Sequence, residues 1–128
     1  MKMENINYEE LIDKLCIPSI KILRENLKVN TLFCCQGKEC KESHHSNTGY
    51  ISAELNDRSE KVFISLAKQL SMLYETLPNC LCSIEYRYSY TPRITLRLKR
   101  LYNEEKLRTV WAYIEKILKR MYEEENNN

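Results

Sequence analysis

Hydrophobic residues recur along this chain at two spacings, one typical of helices and one typical of strands. From Tyr8 to Leu15, apolar side chains three and four positions apart predict a first helix, and Asn7 with Glu10 forms a capping-box pattern at its start. Pro18 suits the first turn of a second helix, because a proline there loses no helical hydrogen bond. Two short helices are therefore expected before residue 29.

Strict alternation predicts strands in the middle of the chain. Residues 29–35 are rich in β-branched and aromatic side chains, and residues 50–55 alternate between apolar and polar. Residues 80–90 alternate over eleven positions, and residues 93–101 follow after a short turn at Thr91 and Pro92. The last two segments form a predicted antiparallel hairpin.

Two longer helices complete the pattern. The first begins at Asp57, with Glu60 in its first turn, and continues at helical spacing up to Pro78. The second begins near Asn103 and has the strongest amphipathic pattern in the chain. Its predicted buried side chains are Leu107, Val110, Trp111, Ile114, Leu118 and Met121.

The order of elements, α-α-β-β-α-β-β-α, predicts an α+β fold. Helices with one apolar side and strands with one polar face favour a two-layer sandwich, in which helices cover one face of a four-stranded, largely antiparallel sheet. We expect a ferredoxin-like β-α-β-β-α core with the strand at 29–35 at the sheet edge. Residues 1–128 then form one domain, with N-terminal helices at 1–28, the core at 29–122 and a frayed tail at 123–128.

Composition limits the function classes. The 128 residues are 43% hydrophobic and carry a net charge of +2, too little by itself to argue for a nucleic-acid partner. No apolar run is long enough to span a membrane, and no signal sequence is visible, so we expect a cytoplasmic protein with free thiols and no disulfide framework. Abundant Lys, Ile, Asn, Tyr and Glu with scarce Ala are typical of AT-rich genomes, including those of phages and viruses.

The loop after the first strand concentrates sulfur and imidazole groups. Cys35, Cys40, His44 and His45 are candidate zinc ligands, since zinc takes four such groups in tetrahedral geometry. The alternative is a buried strand cysteine followed by a solvated loop, because the spacing is irregular and the adjacent Cys34 and Cys35 point to opposite faces of a strand. Zinc is the one candidate cofactor.

The same strand end is also a candidate catalytic turn. Thr31, Cys35, Gln36 and Lys38 would be its reactive groups, because a cation or histidine nearby lowers the pKa of a nucleophilic thiol. Gly37 allows the positive φ with which a strand leaves a sheet, and backbone N–H groups there can form an anion-binding nest. A purely structural turn is the competing interpretation.

A local resemblance covers this turn. Small uncharacterised phage and bacterial domains carry a T-x-x-S-C-x-G-H strand end followed by a G-Y-I-x-F strand. Thr31, Cys35 and Gly37 match the first pattern position by position, and "GYISAEL" resembles the second. The tRNA wybutosine-synthesis methyltransferase family is distantly similar through its T-T-S-S-C-S-G-R segment.

This resemblance implies an RNA-modification-related enzyme or fragment acting at Cys35–Gly37. The chain departs from the pattern at Cys34, which replaces a serine, and at Lys38, which replaces histidine or arginine. No G-x-G-x-x-G nucleotide-binding motif is present. The likeness therefore does not assign catalysis.

Basic residues follow the polar face of the predicted hairpin. They are Arg87, Arg93, Arg97 and Lys99. An open sheet face with this charge can bind phosphate backbones or a partner protein, and charges there also discourage edge pairing. Aromatic stacking groups would strengthen the nucleic-acid interpretation, but Tyr86, Tyr88 and Tyr90 alternate onto the apolar face.

Together these patterns predict a small binding or regulatory protein of phage, viral or mobile-element type. The alternatives are an RNA-modification-related enzyme at the Cys35–Gly37 turn and a zinc-stabilised nucleic-acid-binding module. Protein or nucleic acid is the expected partner, through the basic hairpin face. The sequence does not indicate an oligomeric state.

Overall fold

The computed structural model describes Tyr8 and residues 12–37, 48–73, 81–99 and 104–127. Within these four ranges there are four strands and three α-helices. In chain order the elements are helix α1 (Ile17–Lys21), strands β1 (Thr31–Cys35) and β2 (Tyr50–Glu54), helix α2 (Asp57–Ser71), strands β3 (Cys82–Arg87) and β4 (Arg93–Leu98), and helix α3 (Glu104–Asn126). A 3-10 turn (Lys14–Cys16) precedes α1 and a π turn (Ile22–Asn26) follows it.

The sheet has the strand order β1-β2-β4-β3, and every neighbouring pair is antiparallel. The strands β2 and β3 are joined through α2 with β4 inserted between them, as in a ferredoxin-like core. The edge next to β2 is filled by β1, which precedes the core in the chain. The predicted two-layer α+β fold is confirmed, including the hairpin between β1 and β2.

The core lies between the sheet and the helices. Ile51 and Ala53 of β2 face Leu96 and Ile94 of β4, and all four side chains are buried. The helices cover them with Phe63, Leu66 and Leu70 of α2 and with Trp111, Ile114 and Leu118 of α3. Each large side chain buried in this way stabilises the fold by about 1.5–3 kcal/mol, so this layer determines which sheet face is closed.

The helical run at the N-terminal side ends in a left-handed residue. Lys28 has a φ of 58°, and the N–H of Val29 donates to the carbonyl of Leu23 at 2.8 Å. This hydrogen bond joins residues six apart, one more than the corresponding bond of a Schellman motif, and like that motif it turns the chain out of a helix through a left-handed residue. The predicted first helix lies mostly outside the described residues. Of its residues that are described, Ile12 donates its N–H to the carbonyl of Tyr8 at 2.9 Å.

Arg24 connects this helical run to the edge of the sheet. It is only 3% exposed, and its Nη1 donates to the carbonyl of Thr31 at 2.6 Å and to the Thr31 hydroxyl at 3.0 Å. Next to it the β1–β2 register shifts between Thr31 and Phe33. The outer edge of β1 is therefore both irregular and hydrogen-bonded to a side chain.

The start of α2 differs slightly from the predicted one. The N-cap is Asn56, whose side chain accepts from the N–H of Ser59 at 2.9 Å, while the Ser59 hydroxyl accepts from the N–H of Asn56 at 3.0 Å. This reciprocal pair satisfies two backbone donors at the helix start. Asp57 and Glu60 lie in the first turn, where their negative charges interact favourably with the positive end of the helix dipole.

The C-terminal segment is helical rather than frayed over most of its length. The helix α3 continues to Asn126 and so includes four residues of the tail expected from the sequence. Arg58 explains this, because its Nη1 and Nη2 donate to the two carboxylate oxygens of Glu125 at 2.6 and 2.7 Å, and its Nε donates to the carbonyl of Leu27 at 2.6 Å. One guanidinium thus connects α2, α3 and the end of the N-terminal helices.

We predict that Arg58→Ala destabilises the fold by about 1–2 kcal/mol, because it also leaves the Leu27 carbonyl without its donor. Glu125→Gln should cost less, about 0.5 kcal/mol at pH 7, since the ion pair is partly exposed. The Arg58 hydrogen bonds lower the pKa of Glu125, so its contribution is complete above the ordinary carboxyl pKa and is lost as the pH falls through the lower, folded value.

Urea denaturation from pH 7 down to pH 3 measures this difference. The free energies of unfolding of wild type and Glu125→Gln should converge as the pH falls. Glu124→Gln is the matched control, because it removes a neighbouring exposed carboxylate and should leave stability unchanged. Equal losses for Glu124→Gln and Glu125→Gln would contradict the prediction.

Candidate functional site

The chain's two glycines pack against each other where β1 turns towards β2. Gly37 has a φ of 105°, and a Cβ added to it would lie 3.0 Å from the backbone nitrogen of Gly49. A Cβ on Gly49 would lie 3.1 Å from the carbonyl oxygen of Gln36. The predicted positive φ at Gly37 is confirmed, and the close backbone contact explains both glycines.

Gln36 connects this turn to both groups of helices. Its N–H donates to Oδ2 of Asp13 at 3.0 Å, and its Oε1 accepts from the N–H of Leu15 at 3.2 Å. Its carbonyl accepts from the indole Nε1 of Trp111 in α3 at 3.0 Å. All these polar groups are used in holding the fold together, which supports the structural interpretation of the turn.

Cys35 is fully buried and disulfide-bonded, and the N–H of Gly37 donates to its Sγ at 3.4 Å. The expectation that every cysteine is a thiol is therefore wrong at this residue, whereas Cys16, Cys34 and Cys82 are not disulfide-bonded. A nucleophile or a zinc ligand must be a thiolate. In the disulfide state Cys35 serves as neither.

Thr31 and Gln36, the other catalytic candidates that the structure describes, do not form a catalytic arrangement with Cys35. Thr31 is at the opposite end of β1, about 13 Å away along the strand, and its hydroxyl accepts from Arg24. Gln36 is hydrogen-bonded to Asp13, Leu15 and Trp111. Lys38 lies outside the residues that the structure describes. The part of the turn that the structure describes thus does not assemble a nucleophile and a base.

The predicted zinc site falls largely on residues that are not described. Cys40, His44 and His45 lie outside the described residues, so their positions relative to Cys35 are not part of the structure. Among residues 12–37, 48–73, 81–99 and 104–127, no group of three or more histidine, cysteine or acidic side chains is arranged to hold a metal. The zinc hypothesis stays a prediction.

We predict that Gly37→Ala destabilises the fold by about 2–4 kcal/mol, because it combines a left-handed backbone with a close approach to Gly49. Thermal and urea denaturation measure the loss. Lys28→Gly is the contrasting control, because Lys28 also has a positive φ but lies at an exposed helix end. It should leave stability unchanged or raise it by up to about 1 kcal/mol. A neutral Gly37→Ala would contradict this account of the turn.

We also predict four free thiols per chain in protein that is purified without reductant and then denatured, because one disulfide at Cys35 consumes two of the six cysteines. Reduction should raise the number to six. Cys35→Ser should show five thiols before and after reduction, whereas Cys82→Ser should show three before reduction. Titration with a chromogenic disulfide reagent measures these numbers, and six thiols in unreduced wild type would contradict the disulfide.

The sheet face turned away from the helices forms a second candidate site, here called the open face. Its side chains are those of Phe33 in β1, Tyr50, Ser52 and Glu54 in β2, Arg93, Thr95 and Arg97 in β4, and Ser83, Glu85 and Arg87 in β3. Cys35 lies on the same side of the sheet but is fully buried. Lys99, just past β4, continues the alternation and is exposed. The four predicted basic residues therefore share one surface, as expected from the hairpin pattern.

Two arginines of the open face contact aromatic rings. The guanidinium carbon of Arg93 lies 5.5 Å from the ring centroid of Phe33, and that of Arg97 lies 5.1 Å from the ring centroid of Tyr50. These are cation–π distances. Phe33 is 48% exposed, an uncommon position for a large apolar ring.

Neighbouring polar groups hold Arg97 in this position. Its Nε donates to Oε2 of Glu85 at 2.8 Å and its Nη1 donates to the Thr48 hydroxyl at 2.9 Å. Ser52 and Thr95, one row along the sheet, share a hydrogen bond of 2.6 Å. The guanidinium is thus oriented before any partner arrives, which lowers the entropy lost on binding.

The open face has an excess of positive charge. Its basic residues are Arg87, Arg93, Arg97 and Lys99, and its acidic residues are Glu54 and Glu85. Arg87 lies directly opposite Arg93, and Glu54 lies opposite Arg93 on the other side. The arrangement suits a partner that carries spaced negative charges.

Sequence reasoning missed both aromatic members of the open face. The outward position of Tyr50 could have been predicted, because Tyr50 precedes the inward-facing Ile51 and must point to the other side of the sheet. The outward position of Phe33 could not have been predicted, because Leu32 beside it is also apolar and the bulge in β1 interrupts the alternation. Of the tyrosines expected on the apolar face, Tyr86 lies on it, opposite Ile94. Tyr88 and Tyr90 lie beyond the end of β3 at Arg87 and are exposed instead.

No family model, no curated protein and no solved structure matches the chain. In the part of the chain that the structure describes, no helix has both the length and the apolar character needed to cross a membrane.

Proposed function

We propose that this protein binds single-stranded nucleic acid on the open face of its sheet. The observation that carries the proposal is the pair of arginine–aromatic contacts, Arg93 with Phe33 and Arg97 with Tyr50. Bases stack on aromatic rings and on guanidinium planes, and phosphates pair with arginine. Both kinds of group are present here on one surface.

The spacing of the two rings supports the proposal. Phe33 faces Ser52, and Tyr50 is two residues from Ser52, so the rings are diagonal neighbours on adjacent strands. Such neighbours are about 7–8 Å apart at their backbones. Four-stranded sheets that bind single-stranded RNA stack two or three successive bases on aromatic side chains of this kind.

The charges of the open face support binding to the backbone rather than to a particular base. Arginines on β4 and β3 lie beside the rings, where they can contact phosphates of a strand that crosses the sheet. The proposal therefore predicts strong salt dependence and weak sequence preference. The RNA-modification alternative, the expected viral or mobile-element type and the cytoplasmic location stay predictions.

The first test removes charge. For a fluorescently labelled, unstructured RNA or DNA oligonucleotide, the double variant Arg93→Ala with Arg97→Ala should weaken binding at least about tenfold at low salt. It should also reduce the slope of log affinity against log salt by about two. Fluorescence anisotropy from about 50 to 200 mM salt measures both quantities.

The second test removes stacking. Phe33→Ala and Tyr50→Ala should each weaken binding by about 1–3 kcal/mol while leaving the salt slope unchanged. The control is Arg108→Ala with Lys116→Ala, which removes the same charge from exposed positions of α3 on the other side of the sheet. Circular dichroism checks that each variant is folded. Wild-type protein that does not bind at low salt, or binding that survives the Arg93 and Arg97 changes, would refute the proposal.

A further inference from the structure

The two edges of the sheet are built differently. At the β1 edge the register is interrupted by a bulge, and Arg24 donates to the carbonyl of Thr31. Just past β1, the N–H of Gln36 donates to Asp13. Bulges and side chains that occupy backbone groups are the usual means by which proteins prevent an edge strand from pairing.

The β3 edge has no such protection among the described residues. The N–H of Lys99 donates to the carbonyl of Leu81 at 2.7 Å, which places Leu81 in a hydrogen-bonded position towards β4. Since these positions alternate in an antiparallel pair, the backbone groups of Ile84 and Tyr86 point away from β4. The strand order ends at β3, so within the described sheet these groups face outwards.

Exposed aromatic rings lie beside this edge. Tyr86 and Tyr88 stack with their ring centroids 6.1 Å apart and nearly parallel, and Tyr88 is 80% exposed. The Tyr86 hydroxyl donates to Oε2 of Glu60 at 2.7 Å, and this hydrogen bond raises the pKa of Tyr86. The edge therefore carries fixed apolar surface of the kind found at protein contacts.

The charges of β3 are complementary to those of a second, antiparallel copy of the same strand. Glu85 and Arg87 lie on the open face, on either side of Tyr86. If a second β3 pairs antiparallel about a twofold axis at Tyr86, Glu85 of each copy faces Arg87 of the other. This pairing also places a carboxylate beside Arg87, which within one chain lies opposite the like-charged Arg93.

We propose that two copies of the chain associate through their β3 edges, with Tyr86 opposite Tyr86 and two Glu85–Arg87 ion pairs across the contact. A twofold axis at Glu85 would also pair outward backbone groups, those of Ile84 with those of Tyr86, but it places two carboxylates opposite each other. An axis at Ile84 satisfies the backbone but places Glu85 opposite Ser83. The Tyr86 register is the one that satisfies both backbone and charge.

The resulting assembly is one continuous eight-stranded sheet. Because side chains that face each other across an antiparallel pair lie on the same side of the sheet, the two open faces become neighbours. The contact involves one strand and its tyrosines, so we expect association in about the micromolar range. The proposal does not depend on nucleic-acid binding, since it rests only on the edge strand.

Sedimentation velocity over about 5–500 µM tests the association. The wild-type mass should rise from 15.3 kDa to twice that value with concentration. Tyr86→Pro should abolish the rise, because it removes an outward N–H while leaving the pairing with β4 intact. R87E should raise the dissociation constant at least about tenfold, because it places two carboxylates opposite each other.

A mixing experiment tests the register itself. E85R and R87E should each be monomeric alone, yet they should form a heterodimer when mixed, because all four charged positions are then complementary. K61E is the matched control, because it makes the same change of charge as R87E on the exposed surface of α2 and should dimerise like wild type. Thermal unfolding shows that each variant is folded.

Three outcomes would overturn the proposal. A wild-type chain that remains monomeric at the highest concentration has no such contact. A dimer that resists both Tyr86→Pro and R87E uses another surface. Failure of the mixed E85R and R87E proteins to associate excludes the Tyr86 register. None of these outcomes affects the oligonucleotide test, because monomeric protein still presents Phe33, Tyr50, Arg93 and Arg97.

Discussion

The backbone contact between Gly37 and Gly49 is the constraint on which the rest of this structure depends. It brings the end of β1 against the start of β2, closer than any side chain would permit. With the backbone in this position, Gln36 reaches Asp13, Leu15 and Trp111 at once. The N-terminal helices, the sheet edge and α3 are therefore positioned by two consecutive residues, Gln36 and Gly37.

Much of the fold was predictable because its periodicities are unambiguous. Each pattern predicts a single buried face, as in the alternation at Ile51 and Ala53 and the helical spacing around Trp111. The structure buries these predicted faces. Gln36 could not be predicted as a connector, because its partners are 21, 23 and 75 residues away and no local pattern encodes such contacts. The helical end of α3 was missed for the same reason, since Arg58 stabilises it from 67 residues away.

The candidate site moved from the cysteine-rich turn to the sheet surface for a physical reason. Polar groups at the turn are occupied by partners within the fold, and Cys35 is oxidised. On the open face, Phe33 remains exposed and Arg97 is held by hydrogen bonds that leave it at the surface. Groups that already satisfy one another stabilise a fold, whereas exposed rings beside oriented cations are available to a ligand.

The π turn at Ile22–Asn26 has a consequence for how this chain tolerates changes in length. Its hydrogen bond from the N–H of Leu27 to the carbonyl of Ile22 encloses one residue more than an α-helical turn. Deleting a residue here would restore ordinary helical winding but rotate everything before it by about 100° relative to the sheet. Arg24 lies within this turn, so its reach to β1 depends on the extra residue. A single-residue deletion in the π turn should therefore disrupt this helical segment more than a deletion in its regular part.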